Sequence, residues 1–87
     1  MSWQVQWSGR ARKELVRLDL PTQKRIVEAV DRFAGTGQGD VRPLQGRAGE
    51  YRLRVGDWRV LFSRDKAILL ILILRVRPRG DAYLFDR

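Results

Sequence analysis

The chain has 87 residues, 44% of them apolar, which supports one domain with a single small core and leaves no room for a second. It contains no cysteine and no histidine, which excludes disulfides, thiolate chemistry, imidazole acid–base catalysis and metal sites built on either residue. The formal charge of +8 points to a polyanion or an acidic protein as partner.

The positive excess is uneven. Residues 36–50 balance, residues 1–35 carry +3 and residues 51–87 carry +5. The N-terminus lacks the basic start and apolar run of a signal peptide. The one long apolar run, Ala67–Leu74, is eight residues, against the roughly 20 that span a bilayer. The expectation is a cytoplasmic protein of one domain, residues 1–87, with no membrane segment, no cofactor and no metal.

Trp3, Val5 and Trp7 alternate with Gln4 and Gln6, the period of a strand with one buried face. Ser8 can cap a helix over Gly9–Leu18, in which Ala11, Leu15 and Leu18 share one face. Arg10, Arg12, Lys13 and Arg17 project elsewhere, either as a solvated surface or as contacts to a partner. Asp19-Leu20-Pro21-Thr22 ends that helix and starts another, since proline suits a first helical turn. Ile26, Val27, Ala29, Val30 and Phe33 give the second helix its apolar stripe, and Gly35 is the expected terminator. Residues 35–50, with five glycines and Pro43, read as a long loop that Leu44 plugs into the core.

Tyr51-Arg-Leu-Arg-Val55 is the second strand, Gly56-Asp57 a tight turn, and Trp58–Phe62 the third strand. Tyr51, Leu53, Val55, Trp58, Val60 and Phe62 fall on one face, which assigns Trp58 and Phe62 to the core. Arg52, Arg54 and Arg59 fall on the other. Ser63–Lys66 turns the chain into a fourth strand, Ala67–Leu74, apolar on both faces as a central strand would be. Arg75, Arg77 and Arg79 then alternate with Val76 and Pro78, and a short last element covers Ala82–Phe85. The order β-α-α-β-β-β describes a two-layer α+β fold, with a helical hairpin packed on a mainly antiparallel sheet.

These features resemble the RelE/ParE superfamily of toxins from type II toxin–antitoxin operons. The resemblance rests on Ala11-Arg-Lys-Glu-Leu15 in the first helix, Gln23-Lys-Arg-Ile26 in the second, Pro43-Leu-Gln-Gly46, and above all Tyr51-Arg-Leu-Arg-Val-Gly-Asp-Trp-Arg-Val60. It implies a toxin neutralised by a cognate antitoxin, which contacts operator DNA only together with that antitoxin. In the RelE-like branch it implies ribosome-dependent cleavage of mRNA; in the ParE-like branch it implies inhibition of DNA gyrase without RNA cleavage. The positions that match the cleaving members are Arg52, Arg54, Arg59, Arg77 and Tyr83, all filled compatibly, which favours the RelE-like branch. The second-strand pair is arginine here where lysine is typical.

Cleavage by a 2′-OH requires a proton acceptor, positive charge on the crowded phosphorane, and a proton for the 5′-oxygen that leaves. Arginine suits the second task because its planar fork binds phosphate oxygens in pairs. Its pKa makes it a poor base. The expectation is that Arg52, Arg54 and Arg59 hold the phosphate, Arg77 serves the leaving oxygen and Tyr83 orients the 2′-OH or stacks on a base, with Arg75 and Arg79 extending the nucleic-acid contact. The proton acceptor is left unnamed.

Overall fold

Seven elements follow one another in the computed structural model, which describes residues 2–80. They are β1 (Gln4–Trp7), α1 (Gly9–Val16), α2 (Leu20–Thr36), β2 (Asp40–Pro43), β3 (Glu50–Val55), β4 (Trp58–Asp65) and β5 (Leu70–Pro78). The strands form one sheet in the order β1-β5-β4-β3-β2. Every neighbouring pair is antiparallel except β1 with β5. The expected α+β architecture is present, with one strand more than the sequence revealed. No helix among the described residues is long and apolar enough to cross a membrane.

Local chemistry sets the helix boundaries. Ser8 adopts an extended conformation and its hydroxyl accepts from the Ala11 N–H, capping α1. The same hydroxyl donates to the Leu74 carbonyl, and the Ser8 N–H donates to the Ile73 carbonyl, so the helix starts from a point pinned to β5. Asp19 caps α2 by accepting from both the N–H and the hydroxyl of Thr22. The second helix runs past Gly35 and stops at Thr36, where Gly37 takes the left-handed conformation (φ 79°) and its N–H returns to the Phe33 carbonyl.

The core lies between the helices and one face of the sheet. Ala11, Ile26, Val30, Phe33 and Ala34 meet Leu53, Val55, Val60, Phe62, Ile71, Ile73 and Val76. Phe33 and Phe62 pack with ring centroids 5.3 Å apart. Trp3, Val5, Trp7, Leu15, Leu18 and Trp58 close the margins. The core assignments of Phe62 and Trp58 hold.

Three expectations need correction. Residues 35–50 are not one loop, because Asp40–Pro43 pairs with β3 as an edge strand. Its four residues are mostly exposed, so no hydrophobic alternation betrayed it. Leu44 is only half-buried and lies outside the core, since it follows this edge rather than crossing the sheet. Third, β4 continues to Asp65, whose carboxylate accepts from the Ala67 N–H in the following turn. Ala67, Ile68 and Leu69 are turn residues, with Ile68 63% exposed, and β5 begins only at Leu70.

β5 also carries a bulge. Phe62 pairs with Ile73 and Leu61 with Arg75, which leaves Leu74 without a partner across the ladder. Before the bulge Ile71 and Ile73 face the helices; after it Val76 does. The expected last element, Ala82–Phe85, lies outside the described residues.

Candidate nucleic-acid interface

The sheet face turned away from the helices carries the arginines. Leu53 and Val55 enter the core, so Arg52 and Arg54 of the same strand point the other way. The turn at Gly56-Asp57 has positive φ (59°) at its first position only, the pattern of a type II′ hairpin. That turn fixes the register, placing Arg54 opposite Arg59. In the next ladder Arg59 lies opposite Arg77, and Leu61 opposite Arg75. Arg54, Arg59 and Arg77 thus form one row across three strands. Arg52 and Arg75 form a second, separated by Leu61, which is 3% exposed beneath them.

β2 completes the frame. Asp40 lies opposite Arg54 and Arg42 opposite Arg52. The Asp40 carboxylate is 3.9 Å from both the Arg52 and the Arg54 guanidinium, too far for a hydrogen bond to either. Arg52 Nη1 is buried and has no hydrogen-bond partner among the described residues. A buried unpaired donor costs about 1–3 kcal/mol, more when charged. An anion between these strands would satisfy it.

Arg59 is held firmly. Its Nη1 donates to the carbonyls of Gly56 and Trp58, each at 3.1 Å, which folds the side chain back on the hairpin turn. Burial, and then the charges of Arg52, Arg54 and Arg79, push the Arg59 guanidinium below its ordinary value, with Asp40 acting in the opposite sense. The turn is braced from α2 as well. A Cβ at Gly56 would lie 2.9 Å from the Arg25 guanidinium, so that side chain rests directly on the glycine. Arg79 secures the other side of the turn by donating its N–H to the Asp57 carbonyl at 2.7 Å.

The structure therefore brings Arg52, Arg54, Arg59 and Arg77 together, with Arg75 alongside and Arg79 at the rim. Tyr83 lies outside the described residues. Arg64 belongs elsewhere: it stacks 4.3 Å over the Tyr51 ring, on the side of the sheet that Phe62 occupies.

Sequence reasoning missed Glu14. From α1 this side chain reaches the open edge of β5, beyond the last pairing with β1. Its Oε1 accepts from the Val76 N–H at 2.8 Å, and its two oxygens take the Arg75 Nε and Nη2 at 2.8–3.2 Å. Oε2 also lies 3.4 Å from Arg77 Nη1. Burial raises the Glu14 pKa, but the hydrogen bonds from Arg75 and Val76 and the charges of Arg75 and Arg77 outweigh it and hold the carboxyl below its ordinary 4.5. The available signal was position, since Glu14 adjoins the buried stripe of Ala11, Leu15 and Leu18.

A helical hairpin on one face of a mostly antiparallel sheet, with arginines on the other, defines the fold class of the RelE/ParE toxins. The model for the family described as ParE toxin of the type II toxin–antitoxin system, parDE, matches residues 5–83. The chain belongs to this family, the toxins of toxin–antitoxin pairs. It is similar to a chain of the archaeal RelE–RelB complex from Pyrococcus horikoshii, at 30% identity and a TM-score of 0.78, over 92% of this chain and 98% of that one. A chain of a RelBE toxin–antitoxin complex from Mycobacterium tuberculosis is 27% identical with a TM-score of 0.76, over 91% and 100%. A chain of the chromosomal ParDE system from Pseudomonas aeruginosa shares the fold at 22% identity and a TM-score of 0.71, over 91% and 98%. No curated protein matches the chain.

Proposed function

We propose that this toxin is a ribosome-dependent mRNA endoribonuclease, neutralised by a cognate antitoxin. The observation that carries this reading is the row Arg54–Arg59–Arg77 with the unsatisfied Arg52 beside it. Arg54, Arg59 and Arg77 are successive cross-strand neighbours, and Arg52 lies on the same face of β3. In the reaction the RNA 2′-OH attacks the adjacent phosphorus, its proton leaves, and the bond to the 5′-oxygen breaks to give a cyclic phosphate and a protonated 5′-OH. Arg52, Arg54 and Arg59 hold the non-bridging oxygens and stabilise the dianionic transition state. Arg77 serves the departing oxygen, and Tyr83 orients the 2′-hydroxyl or stacks on a base. Arg75 and Arg79 add positive field at the borders. Much of the acceleration comes from aligning the strand within the ribosome. The relatives solved as toxin–antitoxin complexes support an antitoxin partner; contact with operator DNA only as that pair is part of the proposal.

Production of the toxin without an antitoxin, followed by primer extension on ribosome-bound mRNA, tests the reading. Cuts at defined codon positions are expected, strongly reduced but measurable in single-turnover assays with Arg77→Ala, and weakened with Arg54→Ala and Tyr83→Ala. Unchanged cutting by those variants overturns the site.

A second reading, inhibition of DNA gyrase without RNA cleavage, is favoured by the family model's ParE description and by the two-residue β3–β4 turn. Loss of supercoiling with purified gyrase, with mRNA left intact, would establish it in place of the first.

A further inference from the structure

We infer that Glu14 is the positioning residue of the arginine face: it sets Arg77 for the phosphate and fixes Arg75 as a permanent, structural cation. This deepens the endoribonuclease reading and rests on Arg77 as a phosphate ligand.

Glu14 is the one carboxylate on α1, and it stands between the helix and the arginine face. Its two contacts there differ in kind. Arg75 closes on Oε2 with both Nε, at 2.9 Å, and Nη2, at 2.8 Å, and its Nε also reaches Oε1 at 3.2 Å, so the guanidinium is held by several short charge-assisted contacts. Both side chains are largely covered, at 17% and 16% exposure. Arg77 is drawn to the same Oε2 at 3.4 Å, the longer contact, and is twice as exposed. A phosphate oxygen arriving at the row can take Arg77 over from Glu14 without disturbing Arg75.

Two alternatives fail on the geometry. Glu14 is a poor general base, because its pKa is held down and both oxygens already accept from Arg75 and Val76. It is also more than an ion pair of convenience. The bond from the Val76 N–H ties the carboxylate to the β5 backbone, which fixes it relative to Arg75 and Arg77 on either side. The bulge at Leu74 is what turns both arginines to the open face, and Glu14 caps the strand immediately after it.

The test is a double-variant cycle in ribosome-programmed single-turnover cleavage. Glu14→Gln retains an oxygen for the Val76 N–H but loses the charge that steers the arginines. Its cleavage rate is expected to fall about tenfold or more, with the half-saturating toxin concentration little changed. In an Arg77→Ala background the same substitution is expected to add nothing. Wild-type rates in Glu14→Gln, or losses that multiply in the double variant, overturn the inference. An arm independent of cleavage reads the arginine Nε–H signals of the wild-type protein by ¹⁵N NMR. The Arg75 signal should be slow to exchange and unmoved by an RNA oligonucleotide, while that of Arg77 shifts. Movement of Arg75 together with Arg77 overturns the inference even if a variant fails to fold. A wild-type protein that cuts no RNA defeats the endoribonuclease reading alone, and the NMR arm still decides the roles of the two arginines.

Discussion

Arg59 and Arg77 are direct cross-strand partners in the β4–β5 ladder, and both are arginine. Like charges facing each other across a sheet destabilise it, and Arg54 repeats the conflict on the other side of Arg59. The Asp40 carboxylate gives little relief, being half-exposed and 3.9 Å away. A fold that keeps three guanidinium groups in line bears a stability cost that an anionic ligand removes.

Replacing Arg54 by Thr should therefore separate stability from activity. The variant removes one repulsion and keeps a residue suited to a strand. We expect it to be as stable as the parent or more so, by roughly 0.2–1 kcal/mol, in urea unfolding. Cleavage of mRNA, or retention on immobilised RNA, should fall about tenfold.

Sulfate should stabilise the free protein more than chloride does at matched ionic strength. Screening is then equal, sulfate's general exclusion from the surface acts on any folded chain, and the part of the difference lost with the arginines reports occupancy of a site that only the folded chain has. The extra rise in melting temperature should shrink to that general effect in an Arg52→Ala/Arg59→Ala variant. A sulfate–chloride difference as large in that variant as in the parent would mean the row does not act as one anion site.

The stability conferred by Glu14 should depend on pH in one direction. Its folded pKa lies below 4.5, so its contribution is fully present above that value and is lost as the pH falls through the folded pKa. The gap in urea midpoint between the parent and Glu14→Gln should be widest near neutrality and close in acid. Asp19, held down mainly by Thr22, titrates in both proteins, so only the difference between them is diagnostic.

Gly56→Ala should destabilise by about 1–2 kcal/mol, the cost of a left-handed conformation for an L side chain. The new methyl also meets the Arg25 guanidinium, but that is the free end of a flexible chain and can move. Arg25→Ala in the same background should recover little, which urea denaturation of the single and double variants will measure.

The sequence exposed what periodicity can carry. The helix stripes, the cap at Ser8, the helix break at Asp19–Thr22 and the alternation through Tyr51–Phe62 all survive in the structure. The row of arginines followed from the same alternation. β2 did not, because an edge strand with polar residues on both sides is defined by backbone pairing with β3 and has no hydrophobic signature. The start of β5 was misplaced because Ala67 and Ile68 are apolar yet exposed in a turn. Glu14 was invisible as a functional group because its meaning depends on Arg75, 61 residues away in the chain.

The unpaired Leu74 gives the protein an unusual sensitivity to length. Strict alternation from Ile73 would send Arg75 and Arg77 among the helices and leave Val76 in water. One extra residue reverses that parity. Leu74 is thus the frame-setting residue of the sheet: deleting it joins Ile73 directly to Arg75, and regular alternation then still keeps Val76 inside and Arg75 and Arg77 outside. Inserting one further residue beside it is the damaging change, because a strand whose bulge absorbs only one extra residue would turn every later side chain to the opposite face.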